Sequence, residues 1–414
     1  MMSTYKSSMT TASWKSCRLK DFCEKRTMKN TDRKYCSVFT NSAVYGIIKQ
    51  EEYFEKEVAN GENIDSYYIV KPKDFIYNPR ISESAPYGPI RTNETGEIGI
   101  VSPLYFVFGI TDQASVDYDF LKYYFASSNW HRHVYSIGNN GARSDRMNVA
   151  DTDFMNMPIK LPPLAEQKRI AEILGCCDRV IALKKELIAE KKKQKKALMQ
   201  KLFNPNSGFR LPGFAGKWRE NTLGEIGTFS KGKGIQNSQC QKTGFPCVKY
   251  GDIYMKYNVS FDVAESFTTS DVFNDSLQVT SGVLLFTCSG EDSREIGKCT
   301  LYTGGSPIAV GGDIIVMYPH ESIAPAFLAY QQYSDSLIRQ KNAFGKGNSI
   351  VHIHLPEISS LKISLPPTRQ EQQAIADILS AADKEIDLLE QELVQQQQQK
   401  KSLMQLLLTG IVRV

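Results

Sequence analysis

Residues 161–174 read LPPLAEQKRIAEIL, and residues 365–379 read LPPTRQEQQAIADIL. Both stretches begin with Leu-Pro-Pro and continue, without a further proline, into a long run of regularly spaced apolar residues. Proline is tolerated in the first turn of a helix but disrupts its interior, so each Pro-Pro pair indicates a helix start. The sequence therefore predicts one long helix after each Leu-Pro-Pro.

The two stretches belong to an internal duplication of the chain. Leu365 follows Leu161 by 204 residues, and Trp218 follows Trp14 by the same 204 residues. One additional residue in the second copy raises the offset to 205 along the helices. The helical segments are closely similar, whereas the blocks before them share few residues. A common framework that carries two divergent inserts is what an adaptor with two different heads requires.

The duplication divides the 414-residue chain into four segments. We predict a first variable domain at residues 1–160, a first long helix within 161–203, a linker and second variable domain at 204–364, and a second long helix within 365–414. Residues 204–217 are rich in Asn, Pro and Gly, which is typical of a linker.

Both variable domains have the pattern of a mixed α/β (α+β) fold, because short apolar runs alternate with turn residues. An amphipathic segment lies near the end of each domain, at 117–125 and at 324–333. The predicted strands include residues 67–70, 74–77, 104–108, 283–286 and 314–317.

The apolar residues of the second long helix recur in alternating steps of four and three, which is a heptad pattern, and the first helix keeps the same register. A helix of this length is roughly 60 Å long and cannot bury its apolar stripe alone, so the two helices should pack on each other, parallel or antiparallel. We predict an antiparallel coiled coil, which would give the repeat pseudo-two-fold symmetry and place the variable domains at opposite ends. The predicted pairing residues are Ile170, Leu174, Ile181, Ile188, Leu198, Leu202, Ile375, Leu379, Ile386, Leu389, Leu393, Leu403 and Leu407.

Two short segments of the helices have unusual compositions. Residues 191–196 read KKKQKK, and such a charge run is usually a solvated helix face, with contact to DNA or to an acidic partner as the alternative. Residues 395–399 are all glutamine. Because heptads flank the glutamines on both sides, we expect the helix to continue through them.

The composition is that of a globular protein, with 41% hydrophobic and 23% charged residues and a net charge of +5. This charge permits nucleic-acid binding without arguing for it. No run approaches the ~18–20 apolar residues of a membrane span, and residues 1–10 are too polar for a signal peptide. We therefore expect a cytoplasmic protein with no membrane contact.

The cysteines and histidines do not form a recognisable metal site. The nine cysteines include no C-x-x-C, and Cys176 and Cys177 are adjacent, which favours reduced thiols over a zinc site or a disulfide framework. The His-x-His pairs at 131–133 and 352–354 could ligate a metal, but alternating positions on a strand or loop edge are the interpretation that we favour. We predict no metal site.

The predicted DNA contacts are cations and amides in glycine-containing loops. Arg or Lys can donate two hydrogen bonds to guanine, Asn can pair with adenine in the same way, and other cations bind phosphates. An ordinary surface position is the alternative for each residue. The candidates are Arg80, Arg91, Arg143, Arg146, Lys231, Lys233, Arg294, Lys346 and Asn348.

The sequence lacks the motifs of a DNA-modifying enzyme. Neither residues 78–80 (NPR) nor residues 204–206 (NPN) supply the Asn-Pro-Pro-Tyr type of motif that an adenine methyltransferase needs. There is no G-x-x-x-x-G-K-[ST] phosphate loop and no spaced Ser, His and Asp set. We therefore predict no catalytic residues and no cofactor in this chain.

The order of these segments resembles the specificity subunit of type I restriction–modification enzymes. The resemblance covers essentially the whole chain, and it is most specific at residues 161–174, at 198–203 (LMQKLF) and at their counterparts in 365–408. The linker sequence FRLPGF at 209–214 and WRENTLGEI at 218–226 are also similar to that family.

The resemblance implies that each variable domain reads one half of a split, asymmetric DNA target and that the helix pair sets the gap. Half-sites one helical turn apart are separated by ~34 Å, which the helix pair is long enough to span. It also implies three kinds of partner: double-stranded DNA, two modification subunits that methylate adenine with S-adenosylmethionine, and motor–nuclease restriction subunits that use ATP and Mg²⁺. Residues 20–34 do not match the Lys-Gly-Lys-Gly of 231–234, so the resemblance does not assign equivalent contacts to them.

Two other functions stay open from the sequence. A single-chain nuclease or methyltransferase with an unfamiliar site would turn over without any partner. A coiled-coil scaffold with two protein-binding heads would lack the salt-dependent DNA affinity that phosphate contacts produce.

Overall fold

A computed structural model describes the chain outside residues 1–12, 54–63, 141–144, 291–295 and 346–350, and outside the side chains of residues 139 and 140. The chain forms two compact units: one contains the residues up to Lys185 together with Glu392–Val414, and the other contains Glu186–Gln391. These units cut across the four sequential segments, because each long helix contributes to both. No helix in the described ranges is long and apolar enough to cross a membrane.

The first unit is built around a four-stranded antiparallel sheet, in the order Cys23–Lys25, Phe106–Ile110, Phe75–Tyr77 and Ile90–Thr92. An aromatic cluster covers one face, where the ring of Phe108 lies 5.1 Å from Phe75 and 5.4 Å from Phe125. Other described strands are Lys15–Arg18, Phe39–Ser42, Gly46–Lys49, Tyr68–Val70, Gly99–Val101, Asn139–Asn140, Met147–Asn148 and Pro158–Leu161. The shorter helical segments are Leu19–Asp21, Gln50–Tyr53, Ile64–Ser66, Tyr118–Ala126, His131–Ile137 and Asp151–Met155.

The second unit contains two five-stranded sheets among its described residues. The sheet with the longer strands has the order Gly227–Lys231, Ile314–Pro319, Val283–Thr287, Cys299–Tyr302 and Ser260–Phe261. The other has the order Cys240–Gln241, Ser266–Thr268, Phe245–Val248, Ile308–Val310 and Leu277–Val279. Further strands are Arg219–Thr222, Ser289–Gly290, Val351–His352 and Lys362–Leu365, and the shorter helical segments are Leu223–Glu225, Asn237–Gln239, Tyr250–Met255, Ser270–Asp275, Pro325–Gln331, Asp335–Phe344 and Leu355–Ser359. The predicted mixed α/β (α+β) class is confirmed.

One strand pair closes each variable domain next to its Leu-Pro-Pro. Lys15–Arg18 pairs antiparallel with Pro158–Leu161, and Arg219–Thr222 pairs in the same way with Lys362–Leu365. The start of each variable domain is therefore bonded to its end, immediately before the long helix begins. This closure brings the aromatic-led start of each copy next to its Leu-Pro-Pro.

The two long helices are Leu164–Leu202 and Arg369–Leu408. Each begins within two residues of its Pro-Pro pair, and the second continues through the five glutamines, as predicted. The predicted pairing positions are all buried or half-buried, whereas most of the intervening positions are exposed. The period of the sequence pattern therefore identified the inward face of both helices.

The two long helices run antiparallel within each unit. In the first unit, Asp178 pairs with Lys400, and the later Lys184 pairs with the earlier Glu392. In the second unit, Lys191 pairs with Glu385 at 2.5 Å and Lys195 pairs with Asp383. In both units, later residues of the first helix meet earlier residues of the second, which confirms the predicted antiparallel pair.

The lysine run faces acidic residues of the second long helix. Lys191 and Lys195 form the ion pairs just described, and the Nζ of Lys192 lies 2.7 Å from a carboxylate oxygen of Glu390. The favoured interpretation of this run as a solvated helix face is therefore incomplete, because three of its lysines form ion pairs with the other helix. A first helix rich in lysine opposite a second helix rich in acid is a common device for choosing the helix partner in coiled coils.

The ends of the long helices also pack into the variable domains. Ile170, Leu174 and Leu407 belong to the core of the first unit, whose other members come mainly from the first variable domain. Leu202, Ile375 and Leu379 belong in the same way to the core of the second unit. These predicted pairing residues therefore also anchor a variable domain, which the heptad pattern alone did not indicate.

The Glu-Gln pair after each Leu-Pro-Pro holds the surrounding chain through side-chain hydrogen bonds. The amide of Gln167, which is 1% exposed, donates to the carbonyl oxygen of Pro162 at 2.9 Å and accepts from the backbone N–H of Asp117 at 2.8 Å. Gln372 makes the equivalent bonds with Pro366 and Ala324. Asp117 and Ala324 are the residues that precede the helices Tyr118–Ala126 and Pro325–Gln331. Each glutamine thus fixes a domain helix to the start of a long helix.

A buried Arg–Glu pair accompanies each glutamine. In the second unit, Arg210 of the linker donates to both carboxylate oxygens of Glu371, at 2.9 and 2.7 Å. In the first unit, Arg413 binds Glu166 at 2.5 and 2.6 Å. Because Glu166 and Glu371 occupy equivalent positions in the two copies, the segment after one long helix is fastened to the first turn of the other.

Candidate nucleic-acid interface

The main sheet of each variable domain has one end near the long helices and one end away from them. In the second domain, Ile226 precedes the first strand and accepts from the N–H of His320, which lies a few residues before the Gln372-bound Ala324. At the opposite end, Lys231 pairs with Ile315. We call this opposite end the distal end.

The first domain has the same arrangement. Its strand Cys23–Lys25 starts close to the helix-bound segment, since Thr111 donates to the carbonyl of Phe22. It runs towards the distal row formed by Phe106, Tyr77 and Ile90, and it ends at Lys25, two residues short of that row. The contacts that anchor each variable domain to the long helices lie at the other end of its sheet. The loops that leave the distal end are therefore available to bind DNA.

A short two-stranded pairing, here called the short ladder, extends each distal end. In the first domain, Arg80 forms a β-bridge with Arg146, and the N–H of Met147 donates to the carbonyl of Pro79 at 2.9 Å. In the second domain, Ser289–Gly290 pairs with Val351–His352. In both domains, the segment that follows a central strand of the main sheet (Phe75–Tyr77 or Val283–Thr287) pairs with a later segment that leads back to the Leu-Pro-Pro.

The short ladder of the first domain brings together two of the predicted DNA contacts. The side chain of Arg80 is 66% exposed, and its Nε lies 3.9 Å from a carboxylate oxygen of Asp145. Arg146 is half-buried and lines a cavity of about 490 Å³ that also contains Lys25 and Asn148. Two cations on facing backbone positions form a surface suited to phosphate or base-edge contacts.

Arg91 has a different environment. Its guanidinium donates to two backbone carbonyls, that of Ile90 at 3.1 Å and that of Ala43 at 3.0 Å. Burial lowers the pKa of Arg91 from its usual value. Its predicted contact with DNA stays a prediction, and the observed bonds assign it a role in holding the loop that contains Ala43.

Lys231 and Lys233 lie together at the distal end of the second domain, and both are exposed. The intervening backbone passes very close to a second glycine pair: a Cβ at Gly232 would lie 2.0 Å from the carbonyl oxygen of Gly311, and one at Gly312 would lie 3.2 Å from Gly234. The Lys-Gly-Lys-Gly sequence therefore permits a close chain crossing that exposes both lysines.

Four predicted contacts, Arg143, Arg294, Lys346 and Asn348, lie outside the described residues. The attachment points of three of them are described, because Arg294 follows Gly290 and the other two precede Val351. Gly290 and Val351 face each other in the short ladder. The DNA contacts predicted for Arg143, Arg294, Lys346 and Asn348 stay predictions.

Among the described residues, the polar groups near the second short ladder do not form a nucleophilic centre. The Oγ of Ser289 lies 3.1 Å from Nδ1 of His352, and the rings of His352 and His354 are parallel at 6.4 Å. Burial raises the pKa of Cys288 to about 11, although the positive charge of Lys231 opposes the shift. Cys288 is therefore a neutral thiol at physiological pH, which is a poor nucleophile.

Sequence reasoning missed a set of polar residues that orient the variable domains. The hydroxyl of Tyr123 donates to Asp178 at 2.7 Å, and Asp178 also binds Lys400. In the second unit, Tyr330 and Asp383 make the equivalent bond at 2.8 Å, and Lys195 completes it. The available signal was the retention of the same polar residue types at equivalent positions in both copies.

Comparison with known proteins identifies the framework. The family model for the type I restriction modification DNA specificity domain matches residues 12–192 and 215–396. A relative, the type I restriction enzyme MjaVIII specificity subunit of Methanocaldococcus jannaschii, is 29% identical over 279 residues. That alignment covers 63% of this chain and 63% of the relative's length.

Solved structures show the same fold at lower identity. A chain from a study of complex assembly and conformational transition in a type I R-M system aligns with a TM-score of 0.62 and 15% identity, covering 97% of this chain and 99% of that one. The HsdS subunit from Thermoanaerobacter tengcongensis aligns with a TM-score of 0.51 and 16% identity, covering 99% and 100%. With two family matches that together span most of its length, the chain belongs to the type I restriction–modification DNA specificity domain family.

Proposed function

We propose that this chain is the DNA-specificity subunit of a type I restriction–modification complex and that it reads a bipartite, asymmetric target. The observation that supports this proposal best is the repeated framework. Each variable domain is held by an equivalent Glu–Arg pair, an equivalent glutamine and an equivalent Tyr–Asp–Lys set, whereas the distal ends of the two domains differ. Identical anchors with different distal loops fit a reader of two unlike half-sites.

The distal ends supply the proposed readout. Arg80 and Arg146 on one short ladder, and Lys231 and Lys233 beside the other, would contact phosphates or guanine edges. Arg143, Arg294, Lys346 and Asn348 are proposed as further DNA contacts from the sequence alone. The antiparallel helix pair would act as the ruler that sets the gap between half-sites.

The proposed partners follow from the family. Two modification subunits would methylate adenine with S-adenosylmethionine, and motor–nuclease subunits would use ATP and Mg²⁺. This chain would contribute recognition and assembly and no reacting group. The relative from Methanocaldococcus jannaschii is a type I restriction enzyme specificity subunit, which supports this division of roles.

The deciding experiment is a single-molecule methylome of host DNA with the gene intact, deleted, and carrying a substituted second domain. We expect deletion to abolish one split adenine-methylated motif, and substitution of residues 204–364 to change one half of it. Insertion of a heptad into one long helix should change the gap or abolish methylation. An unchanged methylome after deletion, in a strain that expresses the modification subunits, would contradict the proposal and favour the scaffold alternative.

A further inference from the structure

The first variable domain exposes two adjacent large apolar side chains at the tip of a hairpin. The strands Phe39–Ser42 and Gly46–Lys49 pair with Ser42 opposite Gly46, which leaves the loop Ala43-Val44-Tyr45 between them. Val44 is 72% exposed and Tyr45 is 69% exposed. Single exposed apolar residues are common on protein surfaces, whereas these two are neighbours in one short loop.

The hairpin loop is locally well defined. Gly46, the first strand residue after the loop, has a φ of 74°, a left-handed conformation that glycine adopts without a steric penalty. The Oγ of Ser42 accepts hydrogen bonds from the N–H groups of Val44 and Tyr45 at 3.3 and 3.2 Å. The loop backbone is therefore bonded to itself, and the side chains of Val44 and Tyr45 remain largely exposed.

Polar side chains brace the hairpin against the main sheet. Arg91 donates to the carbonyl of Ala43 in the loop. The amide of Asn41, which is 2% exposed, donates to the carbonyls of Ile76 at 2.7 Å and Pro89 at 3.1 Å. These side-chain hydrogen bonds fix the position of the loop relative to the sheet.

The brace also places the loop beside the first short ladder. Asn78 donates to the carbonyl of Asn41 at 3.0 Å, and its own side chain accepts from the N–H of Arg80 at 3.0 Å. The hairpin and the exposed Arg80 are thus linked through one asparagine. Resting on the proposed function, we infer that Val44 and Tyr45 are apolar contacts to a groove of the DNA half-site read by the first domain.

The chemistry of a DNA groove fits this surface. A two-stranded ribbon can enter the major groove, where apolar side chains contact thymine methyl groups. Apolar side chains can also wedge between base steps. The cation of Arg80 would meet a phosphate beside the groove. The hairpin and the ladder would then make two kinds of contact that differ in their dependence on salt.

The test is equilibrium binding of the full chain, in complex with its modification subunits, to the duplex that the methylome identifies. Val44→Ser with Tyr45→Ser should weaken binding about tenfold, because the apolar area that the two side chains bury against the DNA is lost. The slope of log K against log salt should stay at the wild-type value, because no phosphate contact is lost. Arg80→Ala should instead reduce that slope by about one.

The matched control is Ile98→Ser. Ile98 is an exposed apolar residue, and the adjacent Glu97 pairs with Lys49 at the end of the hairpin away from the loop. This variant should bind as the wild type does, and thermal unfolding of all variants should match.

Three outcomes would overturn the inference: affinity of the double variant within twofold of wild type, a salt slope reduced as in Arg80→Ala, or loss of a partner subunit with unchanged DNA affinity. The last would assign the hairpin to a protein contact. Wild-type protein that prefers no duplex would contradict the proposed function itself, and it is measured first, so the two failures are distinguishable.

Discussion

Replacing Arg210 with methionine should destabilise the second unit by about 3 kcal/mol while leaving the first unit nearly unchanged. Arg210 lies in the linker, far along the sequence from Glu371, and the two side chains form one of the two buried pairs that fasten the framework. Methionine keeps much of the apolar volume of the arginine stem and removes only the charge and its donors.

The magnitude follows from burial and geometry. Glu371 is 1% exposed and receives two hydrogen bonds at 2.9 and 2.7 Å, whereas the side chain of Arg210 is 27% exposed. At about 2.8 Å and an effective dielectric constant of about 20, the attraction is about 6 kcal/mol, which the desolvation of both charges offsets in part. Removing one member of a buried pair costs roughly 3–5 kcal/mol, and the partial exposure of the guanidinium favours the lower value.

Native-state hydrogen exchange with mass spectrometry can assign the loss to one unit, because it measures opening free energies peptide by peptide. Peptides that cover residues 369–379 should report the second unit, and peptides that cover 164–174 the first. Arg413→Met should show the reverse, since its partner Glu166 lies in the first unit. Lys217→Met removes an exposed cation from the same linker and should change neither.

A second substitution separates charge burial from packing. With Glu371→Gln added to Arg210→Met, no buried charge is left, and about 2 kcal/mol should be recovered. A loss below 1 kcal/mol for the single variant, or equal losses in both units, would refute the reasoning that this pair fastens one unit specifically.

Two further predictions concern charges in the second unit. Burial lowers the pKa of Lys341 from 10.5 to about 8, so between these pH values the unfolded chain binds a proton that the folded unit does not, and stability should rise by about 3 kcal/mol across that window. In urea unfolding at pH 7.5 and 10.5, the Lys341→Met variant should lack this rise in stability, and the control Lys362→Met, at an exposed lysine, should keep it. The same pH dependence in both variants would contradict the assignment of the rise to Lys341. Lys192→Glu should lower the free energy of unfolding by roughly 0.5–1 kcal/mol, because the new carboxylate repels Glu390. Adding Glu390→Lys should restore the wild-type urea midpoint, and a double variant as unstable as the single one would disprove the pairing.

The sequence by itself determined the local structure and the repeat. The Pro-Pro pairs fixed the helix starts to within two residues, and the heptad period identified which face of each helix is covered. The predicted strands at 74–77 and 314–317 are observed as Phe75–Tyr77 and Ile314–Pro319. These features depend on backbone restriction and side-chain periodicity, which act over a few residues and are therefore readable from the chain alone.

Only the tertiary structure decided what the covered faces and cations meet. Arg413 binds Glu166, and Arg91 binds the carbonyl of Ala43. The lysine run meets acids on the other helix. A periodic pattern states that a position is covered but not by what, and an exposed-looking cation in a loop carries no record of its partner. Such contacts join residues up to 247 positions apart, so they depend on how the whole chain folds back on itself, which no local preference encodes.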